Sequence, residues 1–225
     1  MTKTRLIGDV HGLIPELKLI VENTPRDVSR LIQIGDMGIG FFHQNEFGDK
    51  KLDEYFKENN LTFIRGNHDN PQTCKEMTTW IPDSYLQDDW YYLGGAWSID
   101  QHLRTIDINW WDDEELSYKE LDLAISTYEV AQPRVVISHD CPSSIAQRFF
   151  FDRGCSLFGR SQYWTKTGEA LDTMFKIHQP KLWVFGHWHE NKEMIINGTR
   201  CICLNELSFC DVDNETLEIT YHSKI

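Results

Sequence analysis

Five short segments, far apart in a 225-residue chain, carry side chains able to hold metal ions. They supply Asp9 and His11 between Gly8 and Gly12, Asp36 after Gly35, Asn67 and His68 after Gly66, His139 after Ser138, and His187 and His189 after Gly186. Each segment ends a run that reads as a buried strand. A carboxylate and an imidazole two residues apart in an extended turn can point to one side. Asp36 has two oxygens and can bridge two ions, Asn67 offers an uncharged amide oxygen, and His139, His187 and His189 add three imidazoles. Nitrogen and oxygen donors of this kind suit Zn, Mn or Fe. Seven such ligands suffice for two divalent cations with positions left for water and substrate, which is the chemistry of phosphate-ester hydrolysis. Five of the nine histidines fall inside these segments; His43, His102, His178 and His222 lie outside them and read as structural or exposed.

The elements that must position these residues follow from the hydrophobic pattern. Strands are expected over 4–7, 30–34 and 61–65, each running into a ligand segment, with helices over 15–23 and 47–59 between them. Pro15 suits the first turn of the first helix. This alternation of strand, motif and helix argues for an α/β arrangement with active groups at the carboxyl ends of parallel strands. Residues 71–89 are less regular. Short strands are expected over 90–93 and 104–108, a helix over 117–132, a strand over 134–137, a helix over 162–178 and a strand over 182–185. Three strands follow, over 193–196, 200–204 and 216–221, with Asn197-Gly198 as a tight hairpin turn between the first two.

Bulk properties set the frame. The length suits one domain over 1–225, and 40% hydrophobic residues, with eight Trp and twelve Phe, can build a substantial core. The formal charge of −13 and the absence of a Lys/Arg run disfavour a nucleic-acid partner. Acidity is no obstacle to phosphate chemistry, because bound cations reverse the local field. Six cysteines in a chain with this much core read as reduced; the spacing of Cys201 and Cys203 puts both on one face of a strand, where they could make half a zinc site but read first as small apolar filler. No apolar run is long enough to span a membrane and a motif-bearing strand starts the chain, so the expected location is the cytoplasm.

These motifs resemble those of the calcineurin-like metallophosphoesterases. The likeness runs in family order from Gly8 to His189, and Gly66-Asn67-His68-Asp69 and Gly186-His187-Trp188-His189 are its most specific pieces. The stretch Gly94-Gly95-Ala96-Trp97-Ser98-Ile99-Asp100, followed by Arg104 and Trp110-Trp111-Asp112-Asp113-Glu114, is similar to a bacterial and phage subgroup. The resemblance implies a four-layer αββα sandwich, with two mixed β-sheets flanked by helices and metals at the sheet ends. It implies Asp9, His11, Asp36 and His189 on one ion, and Asp36, Asn67, His139 and His187 on the other. It further implies a bridging hydroxide as nucleophile and His68 as the acid for the departing oxygen. The expected activity is hydrolysis of phosphomonoesters or phosphodiesters, with two divalent cations, Mn²⁺ foremost and Fe, Zn or Ni as alternatives.

The departures from the family narrow the substrate. Many relatives place a second Asp three residues after the bridging one, to orient the catalytic His; here that position is Ile39. Protein phosphatases put a phosphate-gripping Arg next; here it is Gly40. A small-molecule or nucleotide substrate is therefore favoured over a phosphoprotein. Asp69 and Asp100 are candidates to orient His68, and Arg65 and Arg104 are candidates to hold a phosphate oxygen. The competing readings are a Ser/Thr protein phosphatase, a DNA nuclease of the same family, and a non-catalytic metal-binding scaffold. Residues 110–115 could form a lid or substrate platform, or a loop anchored in the core. Phe149-Phe150-Phe151 reads as core or as an interface patch, with a turn after it at 152–154.

Overall fold

A computed structural model describes residues 2–41, 48–151 and 164–222. Period-two burial organises it. In β7 (Leu182–Phe185), Leu182 and Val184 face one way, while Trp183 and Phe185 face the other. Both faces of such a strand are buried, so its sheet must be covered on both sides.

Two sheets result. The first has the order β11-β10-β1-β2-β3, built from β1 (Lys3–Ile7), β2 (Val28–Ile34), β3 (Leu61–Ile64), β10 (Phe209–Asp213) and β11 (Ile219–His222). Strands β1, β2 and β3 are parallel, and β10 and β11 add antiparallel edges. The second has the order β4-β5-β6-β7-β9-β8, with β4 (Tyr85–Gln87), β5 (Trp90–Leu93), β6 (Val135–Ser138), β8 (Lys192–Ile196) and β9 (Thr199–Cys203) around β7. Its centre, β5 to β9, is parallel; β4 and β8 are antiparallel.

Side chains from both sheets meet in one apolar layer that includes Leu6, Ile32, Ile64, Tyr92, Ile137, Val184 and Ile202. The opposite face of the first sheet packs on α1 (Ile14–Glu22), α2 (Gly48–Glu58) and α3 (Pro71–Glu76). That of the second packs on α4 (Tyr118–Ala131), α5 (Ser143–Ala146) and α6 (Lys166–Ile177). The result is the expected α/β sandwich of two mixed sheets flanked by helices.

Local chemistry explains the helix ends. Pro15 occupies the first turn of α1, Asn70 caps α3 through the Gln72 and Thr73 amides, and Ser117 with Glu120 forms a capping box on α4. The expected strand over 104–108 does not form. A turn of 3-10 helix at Gln101–Leu103 leads into a loop closed by Asn109 on the Thr105 amide, with Asp107 at a positive φ. Residues 71–89 contain α3 and β4, and the tail holds β10 as an additional strand. The pattern of β10 is broken by Asp211, which is buried against Arg5 with bonds of 2.7 and 2.9 Å.

Cys74, Cys141, Cys201, Cys203 and Cys210 are all buried free thiols. Phe149, Phe150 and Phe151 lie in the core beneath the second sheet. His43, Cys155 and the turn at 152–154 lie outside the described residues. Among the described residues, no helix is long and apolar enough to cross a membrane.

Candidate metal centre

The parallel strands of both sheets deliver their carboxyl ends to one place. The loop after β1 is laced to the loop after β2, with the Val10 and His11 amides donating to the Asp36 carbonyl at 2.9 and 2.8 Å. The two sheets are joined there too, since His139 Nδ1 lies 3.0 Å from the Ile34 carbonyl and the His187 amide donates to the Asp9 carboxylate at 3.2 Å. Asp69 locks the loops after β2 and β3 together, accepting from the amides of Met37, Gly38, Ile39 and Gly66 at 2.7–3.2 Å.

Two groups of ligand atoms converge, each within 4.8 Å: Asp9, His11, Asp36 and His189 in one, and Asp36, His139 and His187 in the other. Asp36 belongs to both. In the outer group, His11 Nε2 and His189 Nε2 are 3.0 Å apart, and Asp9 Oδ2 is 3.1 Å from His189 Nε2. In the deeper group, His139 Nε2 is 3.2 Å from Asp36 Oδ1 and 3.2 Å from Asn67 Oδ1. All seven sequence-predicted ligands are therefore brought to one cluster, with Asp9, Asp36, Asn67 and His139 buried and His189 facing water.

The donor set fits divalent cations. One proton can satisfy one pair of these converging atoms; a cation satisfies all of them. Burial opposes charge on His139, yet the negative charges of Asp36 and Asp9 and the hydrogen bond to Asp36 raise its pKa to about 10. Burial likewise opposes charge on Asp36, yet His139, His68 and His11 hold its carboxyl well below the usual range. A buried field this anionic is one that a cation can answer. The Ile34 carbonyl takes Nδ1–H of His139 and leaves Nε2 as the ligand atom.

The backbone is arranged to allow this crowding. His11, Asp36, His187 and His189 all have positive φ, between 50° and 67°, a region that non-glycine residues enter rarely and at a cost in strain. A Cβ on Gly66 would lie 2.0 Å from Asp36 Oδ1, and one on Gly35 would lie 2.2 Å from His139 Nδ1.

His68 stands at the rim. Its ring stacks on Phe41 at 4.8 Å and meets His11 edge-on at 4.7 Å, and its Nε2 is in contact with the Arg104 guanidinium. Arg104 is ion-paired with Asp100 at 2.6 Å. Asp100 therefore reaches His68 only through Arg104, and Asp69, engaged by four amides, holds loops rather than the ring. Burial chiefly lowers the His68 pKa to about 4; Arg104 and His11 push the same way, against the negative charges of Asp36 and Asp100.

Arg65, the other candidate phosphate grip, is 3% exposed and bonds Asp83 at 2.8 Å and the carbonyls of Asp113 and Glu114 at 3.0 and 2.9 Å. That placement is a brace for the 113–114 segment, not a substrate contact. The 110–115 stretch is anchored in the core, with Trp111, Glu114 and Glu115 buried. Sequence reasoning gave no role to Phe41 beneath His68, nor to Ser98 and Glu114 behind Asn67; for the latter two the signal was the Gly94–Asp100 motif and its following acidic stretch.

Comparison with known proteins agrees with this geometry. A family model for calcineurin-like phosphoesterases matches residues 2–191. No curated protein sequence matches the chain. Among solved structures, a Staphylococcus aureus chain assigned provisionally as a 5′-nucleotidase, in complex with alpha-ketoglutarate, superposes with a TM-score of 0.55 at 13% identity over 99% of this chain and 53% of its own, so the present chain spans about half its length. The phosphopantetheinyl hydrolase of Mycobacterium tuberculosis gives 0.55 at 14% identity, over 91% of this chain and 90% of its own. GAP50, described as the anchor in the inner membrane complex of Plasmodium, gives 0.55 at 10% identity, over 100% of this chain and 85% of its own. These likenesses show a shared fold. With the family model covering the motif segments from Asp9 to His189, the chain belongs to the calcineurin-like phosphoesterases.

Proposed function

We propose that this chain is a dinuclear phosphoesterase that hydrolyses a small-molecule or nucleotide phosphate ester. The observation that carries the reading is Asp36, whose carboxylate belongs to both ligand groups at once. Asp9, His11 and His189 would complete the outer site, and Asn67, His139 and His187 the deeper one. Divalent cations held there, Mn²⁺ foremost, would lower the pKa of a water and neutralise phosphate charge.

The chain's own groups would do the rest. Arg104 faces His68 from a separate loop, with its guanidinium 5.4 Å from the ring of Phe41, the residue after Gly40. An anionic ester would compete with His68 for that guanidinium. Release of Arg104 and the charge of the ester both favour the protonated ring, so His68 would donate its proton to the departing oxygen, a role commonly worth ~10²–10⁴-fold in rate. The acidic surface supports a compact substrate over a nucleic acid.

The test is hydrolysis of p-nitrophenyl phosphate and of its bis ester, with Mn²⁺ and with chelator, for the intact protein and for His68→Asn. Metal-dependent turnover that His68→Asn lowers by roughly 10²–10⁴-fold with bound metal unchanged is the expected result. No turnover of either ester by metal-loaded protein would leave the scaffold reading. A salt-sensitive shift of duplex DNA would favour a nuclease. Preference between the two esters, followed by a screen of phosphorylated metabolites, nucleotides and peptides, assigns the substrate class.

A further inference from the structure

Behind Asn67 lies a buried polar chain to which the metal-centre reading assigns no part. Asn67, Ser98 and Glu114 are 3%, 1% and 3% exposed. Glu114 Oε1 accepts the Ser98 amide at 2.8 Å, and Oε2 accepts the Ser98 hydroxyl at 2.5 Å. The same hydroxyl oxygen accepts from Asn67 Nδ2 at 3.0 Å and from Arg104 Nη1 at 3.2 Å.

A hydroxyl has one proton and two lone pairs, and a carboxylate only accepts. The Ser98 proton therefore goes to Glu114, and both Ser98 lone pairs are filled by Asn67 and Arg104. Ser98 can then only accept from Asn67, so it selects the NH₂ end of the amide. The oxygen end is left pointing at the deeper ligand group, 3.2 Å from His139 Nε2. An amide rotated by half a turn would offer two N–H groups to that site and repel a cation.

We propose that Glu114 and Ser98 are positioning residues that set the polarity of Asn67, and so decide whether the deeper cation site has its amide ligand; this rests on the two-cation reading above. Ser98 also ties that ligand to Arg104. One hydroxyl thereby couples the deeper site to the guanidinium that faces His68.

The test measures Mn²⁺ binding by calorimetry on metal-free protein, one site at a time. His189→Ala leaves the deeper site to be read alone, and His187→Ala leaves the outer one. Ser98→Ala is expected to weaken Mn²⁺ roughly 10–100-fold in the first background and to leave the second unchanged. Glu114→Gln is expected to do the same, because its amide offers a donor where Ser98 needs an acceptor; Ser98→Thr, which keeps the hydroxyl, is expected to restore affinity. In an Asn67→Ala background, Ser98→Ala is expected to add no further loss. Unchanged affinity in both variants, equal loss at both sites, or undiminished loss without Asn67 would overturn the assignment. Should Ser98→Ala not fold, Glu114→Gln and Ser98→Thr carry the comparison. Failure of the unmodified protein to take up two ions would instead refute the two-cation reading, and the positioning role with it.

Discussion

At the scale of single residues, type alone did not separate a brace from a functional group. Arg65 and Arg104 were both candidates in the sequence, Arg65 with a structural ion pair as its competing reading, and the structure gives them opposite surroundings. Arg65 is enclosed, with Asp83 and two carbonyls around it. Removing one partner of a buried pair strands the other, at a cost of about 3–5 kcal/mol. Arg65→Ala is thus expected to lower unfolding free energy by about that much in a urea titration. Arg104's charged partner, Asp100, is itself 44% exposed, and the other polar contacts of Arg104 are the Ser98 hydroxyl and His68, so Arg104→Ala strands no buried charge and is expected to cost less than Arg65→Ala in the same titration. Its effect should fall on kcat/KM for the ester that the protein turns over best. An Arg104→Ala variant with unchanged kcat/KM would remove the residue from the phosphate site. The converging candidate ligands were legible, because a metal site needs donor types that are costly to bury for any other reason. Asn67's supporting pair was not: Ser98 and Glu114 are ordinary residues until their proton directions are traced.

At the scale of elements, legibility followed the simplicity of burial. The strand Leu182–Phe185 was expected with its observed bounds, because all four of its residues are buried apolar groups between turn signals. The strand Phe209–Asp213 was not expected, because its Asp211 is a charge buried against Arg5, a partner 206 residues away. Conversely, residues 104–108 alternate like a strand but are held as a loop by Asn109 and by Arg104's contacts with Asp100 and Ser98. The joints between elements give two predictions. Gly66→Ala would put a methyl group 2.0 Å from Asp36 Oδ1 with backbone behind it. Overpacking of this kind costs typically ~1–3 kcal/mol, and here the relief must come from Asp36, the carboxylate proposed to bridge the two ions. Loss of Mn²⁺ uptake by elemental analysis should therefore exceed what the stability change explains. The second joint is Asp53 on α2, which accepts the amides and hydroxyls of Thr78 and Thr79 at 2.6–3.0 Å. Burial would raise its pKa, but these four donors together lower it below 3.8. A depressed folded pKa gives stability that is complete above the unfolded pKa and disappears as pH falls through the folded one. Asp53→Asn should then differ from the parent in Tm at pH 6 and converge with it as the pH is taken below 3. A Tm difference that stays constant across that range would show that the carboxylate's charge is immaterial.

For the whole molecule, the centre is also the place where the two sheets are stitched together. The ligands come from β1, β2 and β3 on one side and from β6 and β7 on the other, and Asp36 meets His139 across the gap. An ion bound by Asp36, His139 and His187 would therefore link the sheets as well as serve chemistry. A ligand that binds only the folded state stabilises it by mass action, about 2.7 kcal/mol at a hundredfold excess over Kd. In a protein of this length each kcal/mol moves Tm by roughly 2–4 °C. Chelation is thus expected to lower Tm by roughly 5–10 °C per site, and Mn²⁺ in excess of chelator to restore it. Both groups take candidate ligands from both sheets, so depleting either should show in this response. His187→Ala, which depletes the deeper site joining both sheets, should remove more of the chelator response than Thr220→Ala on β11, far from the ligand loops, which should leave it whole. Asp36→Asn, which weakens both groups together, should leave Tm almost indifferent to chelator. A metal-free protein as heat-stable as the loaded one, with metal uptake verified, would mean that the ligands are prearranged by the fold alone, and that the positive-φ residues His11, Asp36, His187 and His189 hold their strain without help from an ion.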